Sequence, residues 1–343
     1  MSRTAVVMFN LGGPDGPDAI QPFLFNMFMD PAILRMPAFP RRLLAWWISI
    51  RRAPVARKIY AEIGGRSPIL EQTQAQADAL QVQLSGGDDE FRVFVAMRHW
   101  HPYPKAVAKE VHAFAPDRVI LLPLYPQFSS TTTGSFLDAW DTATRNAGLD
   151  WPTSAICCYP SDPGFVSAVI ALTRDAIERA SKFGNPRVLF SAHGLPQKIV
   201  DAGDPYQDQA EQTVAAIAAR MELASTDYTL CYQSRVGRLE WVRPYIDDEI
   251  RKAAEAGMPL VVVPIAFVSE HSETLVELDI EYGRMARDLG APTYERAATV
   301  GAAPDFIRGL AGLVRQAMSG GPGRFPGGGV RACANGPGGC PNA

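Results

Sequence analysis

Leu260-Val-Val-Val-Pro-Ile-Ala-Phe-Val-Ser-Glu-His-Ser-Glu273 passes without a break from wholly apolar to densely charged. Its first part has no polar alternation, the pattern of a strand buried on both faces of a parallel sheet. From Phe267 to Tyr282 the chain holds one imidazole and five carboxylates. Glu273, Glu277 and Glu281 recur every four residues, which on an α-helix stacks them on one face, with Glu270 one turn ahead. Like charges at that spacing repel. A solvated helix face tolerates this, and so does a site that handles cations or protons. The stripe begins where a buried strand ends, which is where ligands bind in open α/β sheets, and that position favours a site.

Working outward, similar apolar runs bounded by Gly, Pro and Ser lie at 5–9, 91–97, 118–124, 154–159, 187–190 and 228–232, with helical stretches between them. Strands alternating with helices predict parallel sheets in a doubly wound α/β fold. The two halves resemble each other. Val6-Val-Met-Phe-Asn-Leu-Gly-Gly-Pro14 matches Val188-Leu-Phe-Ser-Ala-His-Gly-Leu-Pro196 in pattern, and Val119-Ile-Leu-Leu-Pro-Leu-Tyr-Pro126 matches Leu260-Val-Val-Val-Pro-Ile-Ala-Phe267. The expectation is two similar flavodoxin- or Rossmann-like domains, 1–160 and 161–318, with the active cleft between them. A Gly/Pro-rich tail, 319–343, has too little apolar content for a core and needs something to tie it down.

The bulk properties fit. The chain has 343 residues, 47% of them hydrophobic and 20% charged, as in a globular protein of about two domains. A net charge of −3 gives no reason to expect nucleic acid. No basic-then-apolar leader opens the chain and no run reaches the ~18 apolar residues of a membrane span, so a cytoplasmic, reducing location is expected. Five cysteines do not suggest a disulfide framework.

Several segments could carry chemistry. His193, in Ser191-Ala-His-Gly-Leu-Pro196, stands just after a buried strand. A lone histidine is more often structural, but this one shares its half of the chain with the acidic stripe. An imidazole facing a carboxylate can take up protons or hold a divalent cation. The hydroxyl-dense loop Pro123-Leu-Tyr-Pro-Gln-Phe-Ser-Ser-Thr-Thr-Thr-Gly134 either caps the helix that follows or binds ligand carboxylates. Gly64-Gly-Arg-Ser-Pro-Ile69 offers N–H groups and a guanidinium to an anion, and Arg98, His99 and His101 follow another strand. The segment 23–50 is rich in Phe, Met and Trp and is flanked by Arg41, Arg42, Arg51 and Arg52. It suits a helical hairpin on the core, a lip over a flat apolar ligand, or a membrane-surface contact.

These motifs together resemble those of the ferrochelatases, which insert ferrous iron into a porphyrin to make haem. The matching pieces are Asn10-Leu-Gly-Gly-Pro-Asp15, Gly64-Gly-Arg-Ser-Pro-Ile69, Met97-Arg-His-Trp-His-Pro102, the 123–134 loop, Ser191-Ala-His-Gly-Leu-Pro196, Gly203-Asp-Pro-Tyr206, Tyr232-Gln-Ser-Arg-Val-Gly237 and Pro264-Ile-Ala-Phe-Val-Ser-Glu-His-Ser-Glu-Thr-Leu275. They run in family order from residue 10 to about residue 282. The resemblance implies a chelatase fold, a lyase activity and protoporphyrin IX with Fe²⁺ as substrates, in a monomer or homodimer. It places the catalytic, iron-contacting pair on His193 and Glu273, and a supporting acidic path on Glu270, His271, Glu277 and Glu281. The porphyrin-contacting set falls on Leu11, Arg66, Ser67, Arg98, His99, Tyr125, Ser130, Thr131 and Phe267. Leu11 stands where other members carry Met or Tyr.

The chemistry suits these residue types. Two pyrrole protons must leave, the flat ring must bend, and iron must be gripped weakly enough to be released. Imidazole and carboxylate do this without the trap that thiolates would set. Some ferrochelatases also hold a [2Fe–2S] cluster, and the resemblance implies Cys157, Cys158, Cys333 and Cys340 as its four thiolates, with Cys231 left as a buried strand thiol. The animal-type internal ligand is replaced by Ser130. Rival readings are a coproporphyrin or cobalt-type chelatase and a non-catalytic tetrapyrrole carrier.

Overall fold

Each of the seven apolar runs forms a strand in the computed structural model, which describes residues 2–87, 89–237 and 239–327. They are β1 (Arg3–Asn10), β2 (Glu90–Met97), β3 (Arg118–Pro123), β4 (Thr153–Ile156), β5 (Arg187–His193), β6 (Tyr228–Gln233) and β7 (Leu260–Pro264). Two three-residue strands with no apolar run of their own, β8 (Tyr294–Arg296) and β9 (Gly323–Phe325), complete the sheets. The first sheet runs β2-β1-β3-β4-β9 and the second β6-β5-β7-β8, all parallel. Both halves therefore repeat one strand order, in which the winding of the chain across the sheet reverses between its first and third strands. Ligands in such sheets sit at that switch point, outside the carboxyl ends of the strands. In the first sheet it lies between β1 and β3; in the second, between β5 and β7.

Alternate residues of each strand enter different cores, as burial on both faces requires. Ala5, Val7, Phe9, Val119 and Leu121 face the helices Pro104–Phe114 and Ser135–Asn146. Leu189, Leu260 and Val262 pack beside Ile246 and Ile250 of the helix Ile246–Glu255. The remaining faces meet in one layer: Val6, Met8, Ile120 and Leu122 of the first sheet share a core with Val188, Phe190, Val261 and Val263 of the second. The helices Pro163–Ala180 and Pro304–Ser319 fill that layer. Each Val or Leu fully buried this way contributes about 1.5–3 kcal/mol, as an upper estimate. After the second sheet the chain returns to the first, where β9 pairs with β4 and fastens the start of the Gly/Pro-rich segment. Cys333 and Cys340 lie outside the described residues.

The acidic stripe departs from the α-helix expected. Glu273–Tyr282 is a π-helix of ten residues, and a shorter one, Ser130–Gly134, occupies the corresponding place after β3. Such wide helices are rare beyond a single turn and occur mostly at functional sites. Side chains from outside the helix donate to its carbonyls. Gln233 Nε2 reaches Glu273 O at 3.0 Å, and the Tyr294 hydroxyl reaches Leu278 O at 2.6 Å. Period counting in the sequence cannot see these partners.

Candidate active site

The carboxyl ends of the two central strands meet. Gln127, four residues past β3, donates to Ile265 O just past β7, at 3.1 Å, and to Thr213 at 2.8 Å. On the second-half side of this junction, His193 ends β5 and Glu273 opens the π-helix after β7. His193 Nε2 lies 3.4 Å from Glu273 Oε1, and His271 Nε2 lies 3.4 Å from Glu273 Oε2. One carboxylate thus sits between two imidazoles. His271 is buried, whereas His193 and Glu273 keep 38% and 31% of their side-chain surfaces open, so a ligand can reach the pair. Phe267 lies against both rings, at 4.5 Å from His271 and 6.3 Å from His193 between centroids.

The backbone fixes His193. Its Nδ1 lies 2.5 Å from Gly194 O. A Cβ on Gly194 would come within 2.8 Å of Gln233 O and 3.1 Å of the Trp241 ring, so only glycine lets the chain leave the sheet here. Gln233, beside His193 in register, is fully engaged. It accepts from Ser191 at 2.7 Å and donates to Glu273 O and, at 3.0 Å, to Glu277. Glu277 also accepts from the Ser234 backbone N–H at 2.8 Å, the Ser234 hydroxyl, and Tyr282 at 3.1 Å.

The two glutamates are driven apart in proton affinity. Burial alone would raise the Glu273 carboxyl, but His193 and His271 outweigh it and hold Glu273 well below the usual carboxylate range. Burial raises Glu277, and the Glu273 charge raises it further. Burial would lower His193, but the Glu273 carboxylate outweighs this and brings it to about 9. Neighbouring groups with opposed shifts are the mark of acid–base machinery. The arrangement holds an anion beside an imidazolium, with a second carboxyl poised to take a proton.

Residues 3–318 match the ferrochelatase family profile. The chain belongs to that family. It is 52% identical over 311 residues to the ferrochelatase of Phenylobacterium zucineum, covering 90% of each chain. It is 50% identical over 323 residues to that of Caulobacter vibrioides, covering 94% of this chain and 92% of the relative. Among solved structures, SirB from Bacillus subtilis with Fe³⁺ aligns over 92% of this chain and 96% of its own, at a TM-score of 0.53 and 13% identity, which speaks for the fold alone.

The residues that resemblance to ferrochelatases implied fall into three groups. His193, His271, Glu273, Glu277 and Phe267 come together. Glu270 does not join them: its Oε1 accepts from Arg296 at 2.8 Å and from the Thr299 backbone at 2.9 Å. Glu281 is exposed. On the first-half side, Leu11 follows β1 and Tyr125 follows β3, at that sheet's own switch point. The Tyr125 hydroxyl has its proton affinity raised chiefly by burial, with Arg98 lowering it and Glu273 raising it. Arg98 donates to Asp30 at 2.9 Å and to Ser135 Oγ at 2.6 Å. His99 is buried beside Asp30, and burial lowers it to about 3. Ser130 gives its N–H (2.7 Å) and hydroxyl (2.8 Å) to buried Asp204, while Thr131 pairs with Ser129 at 2.8 Å. Arg66 is engaged with Glu71 at 2.8 Å, and the Ser67 N–H donates to Pro14 O.

Sequence reading missed Asp30, Asp204, Gln233, Ser234, Tyr282 and Arg296. Asp204, Gln233 and Ser234 sat inside quoted motifs without a role, and the strand end at Gln233 was a usable signal. Asp30 and Arg296 carried none. Among the described residues no three of His, Cys, Asp and Glu are grouped to hold a metal ion.

Proposed function

We propose that the chain inserts Fe²⁺ into protoporphyrin IX, releasing two protons, at a site walled on one side by His193 and Glu273. The observation that carries this is the open His193–Glu273 pair at the switch point of the second sheet, in a chain that matches the ferrochelatase family over residues 3–318. Both protons must leave a ring whose face is otherwise apolar. At neutral pH His193 is protonated through Glu273. A divalent ion arriving at Glu273 replaces the imidazolium as that carboxylate's partner, so His193, which is open to solvent, gives its proton to water and can then take the two pyrrole protons in turn, passing each on. Glu277, with raised proton affinity and contacts to Ser234 and Tyr282, receives protons next. Anaerobic mixing with protoporphyrin IX and Fe²⁺ should quench porphyrin fluorescence and yield haem. A higher kcat/KM with coproporphyrin, or turnover with Co²⁺ only, would replace this reading.

Two finer readings follow. The helix Ala38–Ala61 buries Ala45, Ser49, Ala53 and Tyr60, and exposes Phe39, Leu43, Trp46, Trp47 and Ile50. An open groove is lined by Trp46, Trp47, Ile50, Arg51 and Pro54. Exposed aromatic groups among arginines suit a lip that touches porphyrin and an anionic bilayer surface. No described helix is long and apolar enough to cross a membrane. Replacing Trp46 and Trp47 by Ser should weaken binding to anionic vesicles while shifting Tm little. An equal loss of stability with unchanged binding would return them to core packing.

The second reading is the [2Fe–2S] cluster. Cys157 and Cys158 are buried with their Sγ atoms 3.5 Å apart, and Gly327 N–H donates to Cys158 O at 2.7 Å. That bond sets Gly327, six residues before Cys333 in sequence, beside the pair, and six residues extend to roughly 20 Å at most. Four thiolates are the usual ligand count, and Cys333 and Cys340, outside the described residues, would be the other two. A cluster here would supply a covalent tie for the tail. Protein purified without oxygen should then absorb in the visible, and Cys333→Ser should bleach it. Colourless protein containing no extra iron would remove the cluster and leave the chelatase reading intact.

A further inference from the structure

The edge strand of the second sheet bears two side chains on one face, Tyr294 and Arg296, both aimed at the segment that carries Glu273 and Glu277. Arg296 forks onto Asp279, with Nε to Oδ1 at 2.5 Å and Nη2 to Oδ2 at 2.8 Å. Its remaining terminal nitrogen reaches Glu270 Oε1 at 2.8 Å and Ala297 O at 3.2 Å. Tyr294 donates its hydroxyl to Leu278 O at 2.6 Å. Glu270 precedes Glu273 by three residues, and Leu278 and Asp279 follow Glu277 directly. One guanidinium therefore ties the stretch together from both sides of the two glutamates. Arg296 is nearly buried, with 10% of its side chain open, so the ties are poorly screened by solvent.

We propose that Arg296, assisted by Tyr294, is the positioning residue for the iron-side glutamates: it holds the π-helix in the register that sets Glu273 against His193 and Glu277 against Ser234. This rests on the function proposed above. A wide helix of ten residues is unfavourable by itself. An arginine fork can link a carboxylate before the helix to one within it, whereas lysine offers a single point charge and cannot bridge both. The strand does not touch the reacting atoms. It acts through the spacing of the groups that do, and its effect should appear in iron handling rather than porphyrin binding.

The experiment compares Arg296→Met, Arg296→Lys, Asp279→Asn and Tyr294→Phe with the unaltered chain. Steady-state constants are measured separately for Fe²⁺ and protoporphyrin, alongside calorimetric titration of Zn²⁺ into porphyrin-free protein. Arg296→Met and Arg296→Lys should each raise KM for Fe²⁺ about tenfold or more and weaken Zn²⁺ binding in step, with KM for porphyrin within about twofold. The pair Arg296→Met/Asp279→Asn should be no worse than Arg296→Met, because the two groups act as a unit. Tyr294→Phe should give the smallest change. Unchanged iron KM and Zn²⁺ affinity in folded Arg296→Lys protein would overturn the proposal, as would a parallel rise in both substrate constants. Where Arg296→Met does not fold, Arg296→Lys and Asp279→Asn decide. Failure of the unaltered chain to metallate any porphyrin defeats the functional reading instead, and the Zn²⁺ titration still judges the positioning role.

Discussion

The loops after β3 and β7 have the same construction and different chemistry. Each leaves the centre of its sheet through a proline and enters a π-helix. After β3 that helix is made of hydroxyl groups and glycine, and its start is held by buried Asp204 from the other half through Ser129 and Ser130. After β7 it begins with a carboxylate between two imidazoles. The partner strands differ likewise. β1 ends in Asn10, which is bonded to Thr73 and to the Leu11 N–H, whereas β5 ends in His193, whose Nε2 faces Glu273. The strand order thus supplies two equivalent positions, and side-chain choice sets the imidazole–carboxylate cluster at one of them.

The comparison breaks most severely at the charged loop. His193→Ala and Glu273→Gln should each lower kcat by about 10²- to 10⁴-fold, the usual worth of a positioned acid–base group, while porphyrin binding followed by fluorescence persists. Comparable turnover in either variant would mean that the two loops are chemically alike. Glu277→Gln should cost less, on the order of tenfold, and chiefly at a pH where Glu277 is ionised and able to accept a proton; as pH falls and Glu277 becomes protonated the two proteins should converge. At the neutral loop the expected damage is to folding. Asp204→Asn weakens three donor contacts to one carboxylate oxygen and should lower unfolding free energy by about 1–3 kcal/mol, with KM for Fe²⁺ unchanged. A selective loss of iron affinity in that variant would erase the distinction between the loops.

The smallest effect is a pH signature. His193 is raised from 6.5 to about 9 in the folded chain, so its contribution to stability is full below 6.5 and is lost as pH rises through about 9. Glu273, held low, contributes above the ordinary carboxylate range and loses its contribution as pH falls. Glu273→Gln removes the charge that raises His193, and NMR titration should then find the imidazole well below 9. A midpoint still near 9 would assign the shift to some other group.

Much of this was legible in the sequence. The seven longer strands carried apolar runs, several of them Val/Ile/Leu-rich without polar alternation, as at 119–122 and 260–263, and the likeness of 119–126 to 260–267 marked topologically equivalent strands. His193 and Glu273 stood out because each follows such a run. The three-residue strands β8 and β9 bury too little to leave a pattern, so Arg296 had no visible context. The π-helix was unreadable because four-residue spacing places Glu273, Glu277 and Glu281 near one another in an α-helix as well, and the groups that widen the turn come from Gln233 and Tyr294. Asp30 and Asp204 were hidden because each acts on a loop far away in the chain. The shared central layer could not be read either, since alternation tells that a face is buried and not which sheet lies across from it.

The return of β9 to the edge of the first sheet has a consequence for how the protein is made. Strand β4 and the layer beneath it stay uncovered until the helix Pro304–Ser319 and β9 have left the ribosome. At ~5–20 residues per second, synthesis of the intervening half takes on the order of ten seconds or more. The nascent first half must wait that long with an apolar face and a strand edge uncovered by its own chain.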